Sequence, residues 1–197
     1  MASDDLSRRT MLSLAALLPL GTNAACAETP ARGTGRAGSR SMLVAYFTRS
    51  GNTKVIAGTV QRALAADLFE IRPETPYPED YQQTVDQARR ETEAQLEPPL
   101  AARVTAIARY DTIFLGTPIW GGTAPPVIRS FLEAHDVAGK TIQPFITHGG
   151  YGPGDCMTVL RSYAKGAVVR DPFIMEADQE RRTVDQVNGW LAKIGRA

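Results

Sequence analysis

The chain has 197 residues, with 22 Lys and Arg against 21 Asp and Glu, a formal net charge of +1, and 43% hydrophobic and 7% aromatic residues. That is the balance of an ordinary globular protein of one domain. It offers no general electrostatic footprint for nucleic acid, no block of five like charges forms a basic arm or acidic tail, and Cys26, Cys156, His135 and His148 are too few thiols and imidazoles for a structural zinc site.

At the N-terminus, Ser7-Arg8-Arg9-Thr10-Met11-Leu12 leads into a short apolar run from Met11 to Leu20, and Ala25-Cys26-Ala27 supplies a small-x-small cleavage site. This resembles a twin-arginine export signal, which implies removal of residues 1–27 and an exported, periplasmic mature protein. The run is shorter than the about 20 apolar residues needed to span a bilayer, and Gly21, Thr22 and Asn23 interrupt it, so no stable membrane span is expected. A cytosolic protein with a disordered head and a lipoprotein acylated on Cys26 are the alternatives; Asn23, where lipoproteins usually carry an aliphatic residue, weakens the second. Residues 28–41, rich in Gly, Arg, Ser and Ala, read as a flexible leader to a folded domain over 42–197. After cleavage Cys156 is the sole cysteine, so no internal disulfide can form and stability must come from the core. A chain of this length buries roughly 70% of its extended surface on folding.

From Met42 to Phe47 an apolar run rich in β-formers predicts a buried strand, and Ile56, Val60 and Leu64 fall at helical spacing within 55–65. A second short strand is predicted over Asp67–Arg72. Pro73, Pro76 and Pro78 then mark a loop, and Asp80 opens a polar helix to about Gln95. After Pro98-Pro99 a third strand, Thr112–Gly116, enters a Gly/Pro-rich loop, and Pro125-Pro126 suits the first turn of a helix ending near Ala134. The fourth strand is Thr141–Thr147. The loop His148–Gly154, a helix from Asp155 to about Ala164, a short strand at Ala167–Val169 and a closing helix with Val184, Val187, Leu191 and Ile194 on one stripe complete the chain. Strands separated by helix-length segments predict a doubly wound α/β fold, a five-stranded parallel sheet covered on both faces. Ligands in such sheets sit outside the carboxyl ends of the strands.

Three loops at those ends carry the unusual residues. The first, Thr48-Arg49-Ser50-Gly51-Asn52-Thr53, offers three hydroxyls, a tight-turn glycine and amides at a helix N-terminus, which suits a phosphate. An ordinary capping turn needs only one hydroxyl. The loop lacks the Lys-Ser/Thr ending of a nucleoside triphosphate loop and the spacing of a dinucleotide fingerprint, so a monophosphate fits better. Thr117-Pro118-Ile119-Trp120-Gly121-Gly122-Thr123 sets a tryptophan face beside glycines whose amides can approach a flat ligand; the alternative is a Trp packed against the sheet edge. Thr147-His148-Gly149-Gly150-Tyr151-Gly152 repeats the theme with a second aromatic, or is a glycine turn with Tyr151 solvated.

The strand LVAYF followed by Thr48–Thr53 resembles the phosphate loop of the flavodoxins. TPIWGGTAPP and ITHGGYGPG resemble the two flavin-ring loops of one subfamily, as does PYPEDYQQTVDQARRE, and the similarity runs from about Met42 to Ile194. The resemblance implies strand order 2-1-3-4-5 with FMN at the switch between strands one and three, a property of that fold and not a reading of this chain. It implies that Thr48, Ser50, Asn52 and Thr53 bind the FMN phosphate with the amides of Arg49 and Gly51. Trp120 would flank the ring, Gly121, Gly122 and Thr123 would face its polar edge, and Thr147–Gly150 would close the other side. Thr117 and Gly121 stand where the subfamily usually has aromatic residues, so one-sided stacking is expected, with Tyr151 as the available second ring. The chain also lacks the strong acidity of many flavodoxins, so a partner steered to an acidic face is not expected.

No nucleophilic triad or paired carboxylate is visible, so hydrolysis is disfavoured. His148 is placed to donate near the ring or is simply structural, His135 ends a helix, and Cys156 is a lone thiol near a helix start with no base. The expected function is an exported FMN-binding electron carrier serving a redox partner protein or a small electron acceptor. An FMN-dependent reductase of quinones or similar acceptors, and a cofactor-free module that kept the fold, are the alternatives.

Overall fold

The computed structural model describes residues 41–177 and 180–195; the expected signal segment 1–27, and the leader 28–41 except for Ser41, lie outside them. The chain alternates β1 (Met42–Tyr46), α1 (Asn52–Leu64), β2 (Asp67–Glu70), α2 (Tyr81–Glu93), β3 (Thr112–Pro118), α3 (Pro126–Glu133), β4 (Thr141–His148), α4 (Cys156–Tyr163), β5 (Val168–Val169), β6 (Phe173–Glu176) and α5 (Glu180–Ile194). The strands pair in parallel in the order β2-β1-β3-β4-β5, and β6 also pairs with β4. The order is the expected one, but six strands replace five. β5 meets β4 at Thr141 and Ile142, and β6 meets it from Phe145 to His148, so the edge position is one strand broken in two. Arg170 N donates to Ile142 O at 2.9 Å and Gln143 Nε2 to Asp171 O at 2.7 Å, whereas Pro172 has no N–H to continue the ladder.

Alternation along the strands divides the core between the two faces. Leu43, Ala45 and Phe47 join Ile113, Leu115 and Ile146 beneath Val127, Ile128 and Phe131 of α3 and Leu160 of α4. On the other face Val44, Tyr46, Phe114 and Phe145 meet Ile56, Ala57 and Val60 of α1 and Val187 and Leu191 of α5. Burial on both faces explains the near-continuous apolar runs of β1 and β3. The stripe on α5 is narrower than expected: Val184 is 43% exposed, and Trp190 takes up the packing, stacked on Phe173 at 5.1 Å and near-perpendicular to Phe114 at 6.0 Å.

Three boundaries bear on the site. Helix α1 starts at Asn52, ahead of its apolar period, because Gly51 (φ 94°) turns the chain and the polar first turn is already helical. Strand β3 runs on to Pro118 and β4 to His148, so Thr117, Pro118, Thr147 and His148 are strand-end residues held by the sheet. Asp80 caps α2, its carboxylate accepting from Gln83 N at 2.8 Å, as a helix opening there requires.

Candidate functional site

At the end of β1 the chain builds an open helix N-terminus. Gly51 N donates to Thr48 Oγ1 at 3.0 Å, and a Cβ on Gly51 would meet nothing, so the left-handed φ alone selects glycine. No side chain caps α1, and no acidic residue lies in its first turn. The first in-helix donor is Val55 N, to Gly51 O at 3.2 Å. The amides of Asn52, Thr53 and Lys54 therefore face outward with no acceptor within the helix, and the helix dipole adds to them. Thr53 is buried, its hydroxyl 2.9 Å from that of Thr147, which ties the loop to the end of β4. The Arg49 side chain turns the other way: Nη2 donates to Glu79 O at 2.7 Å and the guanidinium lies 5.6 Å from the Tyr81 ring centroid. Ser50 is exposed and Asn52 half-buried.

The ends of β3 and β4 are joined through their backbones. Trp120 and Thr123 exchange two main-chain hydrogen bonds, at 3.0 and 3.1 Å, around Gly121 (φ 57°) and Gly122 (φ 81°). Two positive φ values make this a tight turn of the kind that favours glycine at both positions. Ile119 N donates to Thr147 O at 2.9 Å, and Asp155 N to Gly122 O at 3.0 Å, so the turn leans on the start of α4. Gly154 makes that approach possible, since a Cβ there would lie 1.8 Å from Gly122 O. The buried Thr117 hydroxyl is spent on Pro118 O at 2.8 Å.

In the loop after β4, His148 Nδ1 accepts from Gly150 N at 3.1 Å and Gly152 N at 3.3 Å. With Nδ1 an acceptor, the proton of the neutral ring belongs on Nε2. His148 is thus the internal brace of its loop. Gly149 and Gly150 are exposed, and Tyr151 is 97% exposed at the tip.

The segment from Pro73 to Glu79, a loop by its prolines, walls a cleft of about 560 Å³ together with Phe47, Thr48, Arg49 and Trp120. Trp120 stands near-perpendicular to Tyr77 and Phe47, at 4.8 and 5.2 Å between centroids. The Tyr77 hydroxyl donates to Glu91 on α2 at 2.8 Å, and burial pushes its pKa upward. On the floor, Glu70 accepts from Arg72 Nε at 3.0 Å and from Tyr46 at 3.1 Å. The bond from Arg72 holds the Glu70 carboxyl below the usual range, and burial raises Tyr46 to about 12. The aromatic residues around PYP were the available signal, but their partners lie far away in sequence.

The remaining candidates are structural. Burial lifts Cys156 to about 12. His135 is buried, its Nδ1 donating to Phe131 O at 2.7 Å and its Nε2 accepting from Val104 N at 2.9 Å. Among the described residues no cluster of His, Cys, Asp and Glu could hold a metal ion, and no helix is long and apolar enough to cross a membrane.

The fold has counterparts among solved structures. A solved protein from Bacteroides eggerthii, described as a candidate flavoprotein, is 30% identical, with a TM-score of 0.67 over 79% of this chain and 98% of its own. A similarly described protein from Bacteroides uniformis is 28% identical, with a TM-score of 0.67 over 76% and 98%. The flavoprotein of Lactobacillus acidophilus, solved in complex with FMN, shares the fold at 21% identity, with a TM-score of 0.62 over 74% of this chain and 99% of its own. No curated protein matches the chain. The family model for flavodoxin matches residues 41–194, the whole of the sheet with the loops at its carboxyl edge, and the chain belongs to the flavodoxin family.

Proposed function

We propose that this protein binds FMN with its phosphate at the N-terminus of α1 and its ring between the β3 and β4 loops, and that it carries electrons on that flavin. The observation that carries the reading is the uncapped helix N-terminus, fastened through Thr53 and Thr147 to the strand whose loop faces it. A phosphate monoester fits there: the amides of Asn52, Thr53 and Lys54 lack acceptors within the helix, and no carboxylate in the first turn repels an anion. The Gly51 amide is already taken by Thr48, whose own hydroxyl proton is left to donate. Ser50 and Asn52 add donors from the exposed side. The L. acidophilus flavoprotein, with FMN bound on the same fold, supports the choice of cofactor.

In this reading Trp120, braced by Phe47 and Tyr77, flanks the ring. The turn at Gly121, Gly122 and Thr123 presents backbone groups to its polar edge, and Thr147, Gly149 and Gly150 close the other side while His148 holds their loop in shape. When bound, FMN supplies the redox chemistry; the protein binds, orients and shields it.

Flavin absorbance in the purified full-length protein is the first test. Ser50→Ala, which removes a hydroxyl donor on the exposed side of the loop, should then weaken FMN about tenfold to a hundredfold, since hydrogen bonds to a charged group are worth roughly 1.5–3 kcal/mol. Riboflavin, without the phosphate, should respond far less; equal losses for the two ligands would overturn the assignment. A carrier fed by a partner protein should also stay oxidised when mixed with NADH or NADPH in a stopped-flow cell, whereas rapid bleaching would favour a reductase.

Export belongs to the same proposal. The Ser7–Leu12 motif and the Ala25-Cys26-Ala27 site support passage as a folded, flavin-loaded protein with a mature N-terminus at Glu28. Replacement of both Arg8 and Arg9 by Lys should abolish export. A periplasmic protein that retains residues 1–27 would count against it.

A further inference from the structure

We propose that the cleft between β1, β2 and the Pro73–Glu79 segment is a second binding site, for an uncharged planar aromatic molecule of one or two fused rings carrying a carbonyl oxygen. Its volume of about 560 Å³ lies within the usual range for small-molecule sites. The walls set the class of ligand. Phe47, Tyr77 and Trp120 supply three aromatic surfaces, and because the Tyr77 hydroxyl is committed to Glu91, that residue offers its ring rather than its polar end.

The polar groups set the substituent. At the β1 end Arg49 has used one guanidinium nitrogen on Glu79 O and holds further N–H groups. At the β2 end the Glu70 carboxylate is occupied by Tyr46 and Arg72. Arg49 and Arg72, each bonded in the cleft wall through one nitrogen, leave donors in surplus, which calls for an acceptor oxygen on the ligand. The carboxylates of Glu70, Glu74 and Glu79 more than offset the charges of Arg49 and Arg72 along the cleft, so a neutral carbonyl fits better than a carboxylate.

The cleft touches the flavin loops through Thr48, Arg49 and Trp120, but it lies on the β2 side of β1, whereas the turns at Gly121 and Gly150 follow β3 and β4. Its purpose, to seat a partner molecule of the flavin, rests on the function proposed above; its binding does not. Ala101, exposed and lining the cleft, gives a way to narrow it outside the flavin loops.

The test is titration of the full-length, oxidised protein with 1,4-naphthoquinone, followed by the indole N–H signals of its two tryptophans in nitrogen–proton correlation spectra. The Trp120 signal should move saturably and that of Trp190 should stay, with and without FMN. Ala101→Phe should weaken the quinone at least tenfold while FMN affinity is unchanged. Absence of a saturable Trp120 shift up to the solubility limit, displacement of the quinone by FMN in competition, or an Ala101→Phe variant that binds as tightly as the parent would each overturn the proposal. A protein that takes the quinone at Trp120 but no FMN would uphold the cleft and remove the flavin reading; one that takes FMN and no quinone would remove the cleft alone.

Discussion

The carboxyl edge of the sheet is built in two ways. On the β3–β4 side the loops are glycine-rich and held mainly by main-chain bonds, Ile119 N to Thr147 O, the Trp120–Thr123 pair, and Asp155 N to Gly122 O. On the β2 side the wall is proline and aromatic, and side chains hold it from a distance. Tyr77 reaches Glu91, Arg49 reaches Glu79 O and His135 takes the Val104 amide, alongside two main-chain bonds, Ala101 N to Arg72 O and Glu74 N to Pro99 O. A turn fixed by its own φ values keeps its shape whatever the distant chain does. A wall pinned in part by remote side chains changes shape when a pin is lost.

The sharpest test of the first half compares two of its glycines. Gly154 sits at φ 53° with Gly122 O 1.8 Å from where a Cβ would stand, whereas Gly121 has a similar φ of 57° and open space around it. Gly154→Ala adds a main-chain clash to the strain of the left-handed region and should cost about 2–4 kcal/mol by denaturant unfolding. Gly121→Ala should cost only about 1 kcal/mol. Equal costs would mean that φ alone, and not the seam between the two loops, governs this side.

This contrast also decides what could be read from the sequence. The strands and the loops at 48–53, 117–123 and 147–152 were legible because hydrophobic runs, turn glycines and a helix start are local signals, whereas the strand order followed only from the resemblance to the flavodoxins. Three features were not. The second piece of the edge strand escaped notice because Pro172 breaks it and Met175 is its one buried residue. The cleft brings Phe47, Tyr77 and Trp120 together across long sequence separations that no local pattern encodes. His135, a residue with no assigned task, pins the segment behind the cleft wall, and nothing at position 135 names Val104 as its partner.

His135 gives the β2 side a pH dependence. Burial lowers its pKa below the ordinary imidazole value, against the raising effect of the Phe131 carbonyl, so the unfolded chain binds the proton more readily than the folded one. Its contribution is complete above the unfolded value of about 6.5 and is lost as pH falls below it, toward the folded pKa. Glu70, whose pKa is depressed by Arg72, contributes in the same direction but only below the carboxylate range, in a separate window. The melting temperature should therefore begin to drop as pH falls below about 6.5. His135→Gln should cost about 1–3 kcal/mol at neutral pH, through the Val104 amide it leaves poorly paired, and should flatten that slope. An unchanged slope would remove His135 as the titrating pin.

The smallest effect belongs to the tip of the β4 loop. Tyr151 is 97% exposed, and the loop beneath it is held by the two bonds from Gly150 and Gly152 to His148, neither of which uses the tyrosine side chain. Tyr151→Ala should leave the stability of the flavin-free protein within about 0.5 kcal/mol, as for surface positions generally. Aromatic stacking on a flat ring is worth roughly 1–3 kcal/mol, by analogy with base stacking on aromatic side chains, or about tenfold to a hundredfold in affinity. The ring starts in solvent and would give up side-chain freedom to stack, while Trp120 is already braced between Phe47 and Tyr77. Stacking is therefore expected from the Trp120 side alone, and Tyr151→Ala should change the FMN dissociation constant by less than about threefold while Trp120→Ala changes it by tenfold or more. A tenfold loss at Tyr151 would give the glycine side an aromatic clamp of its own and remove the asymmetry between the two halves of the edge.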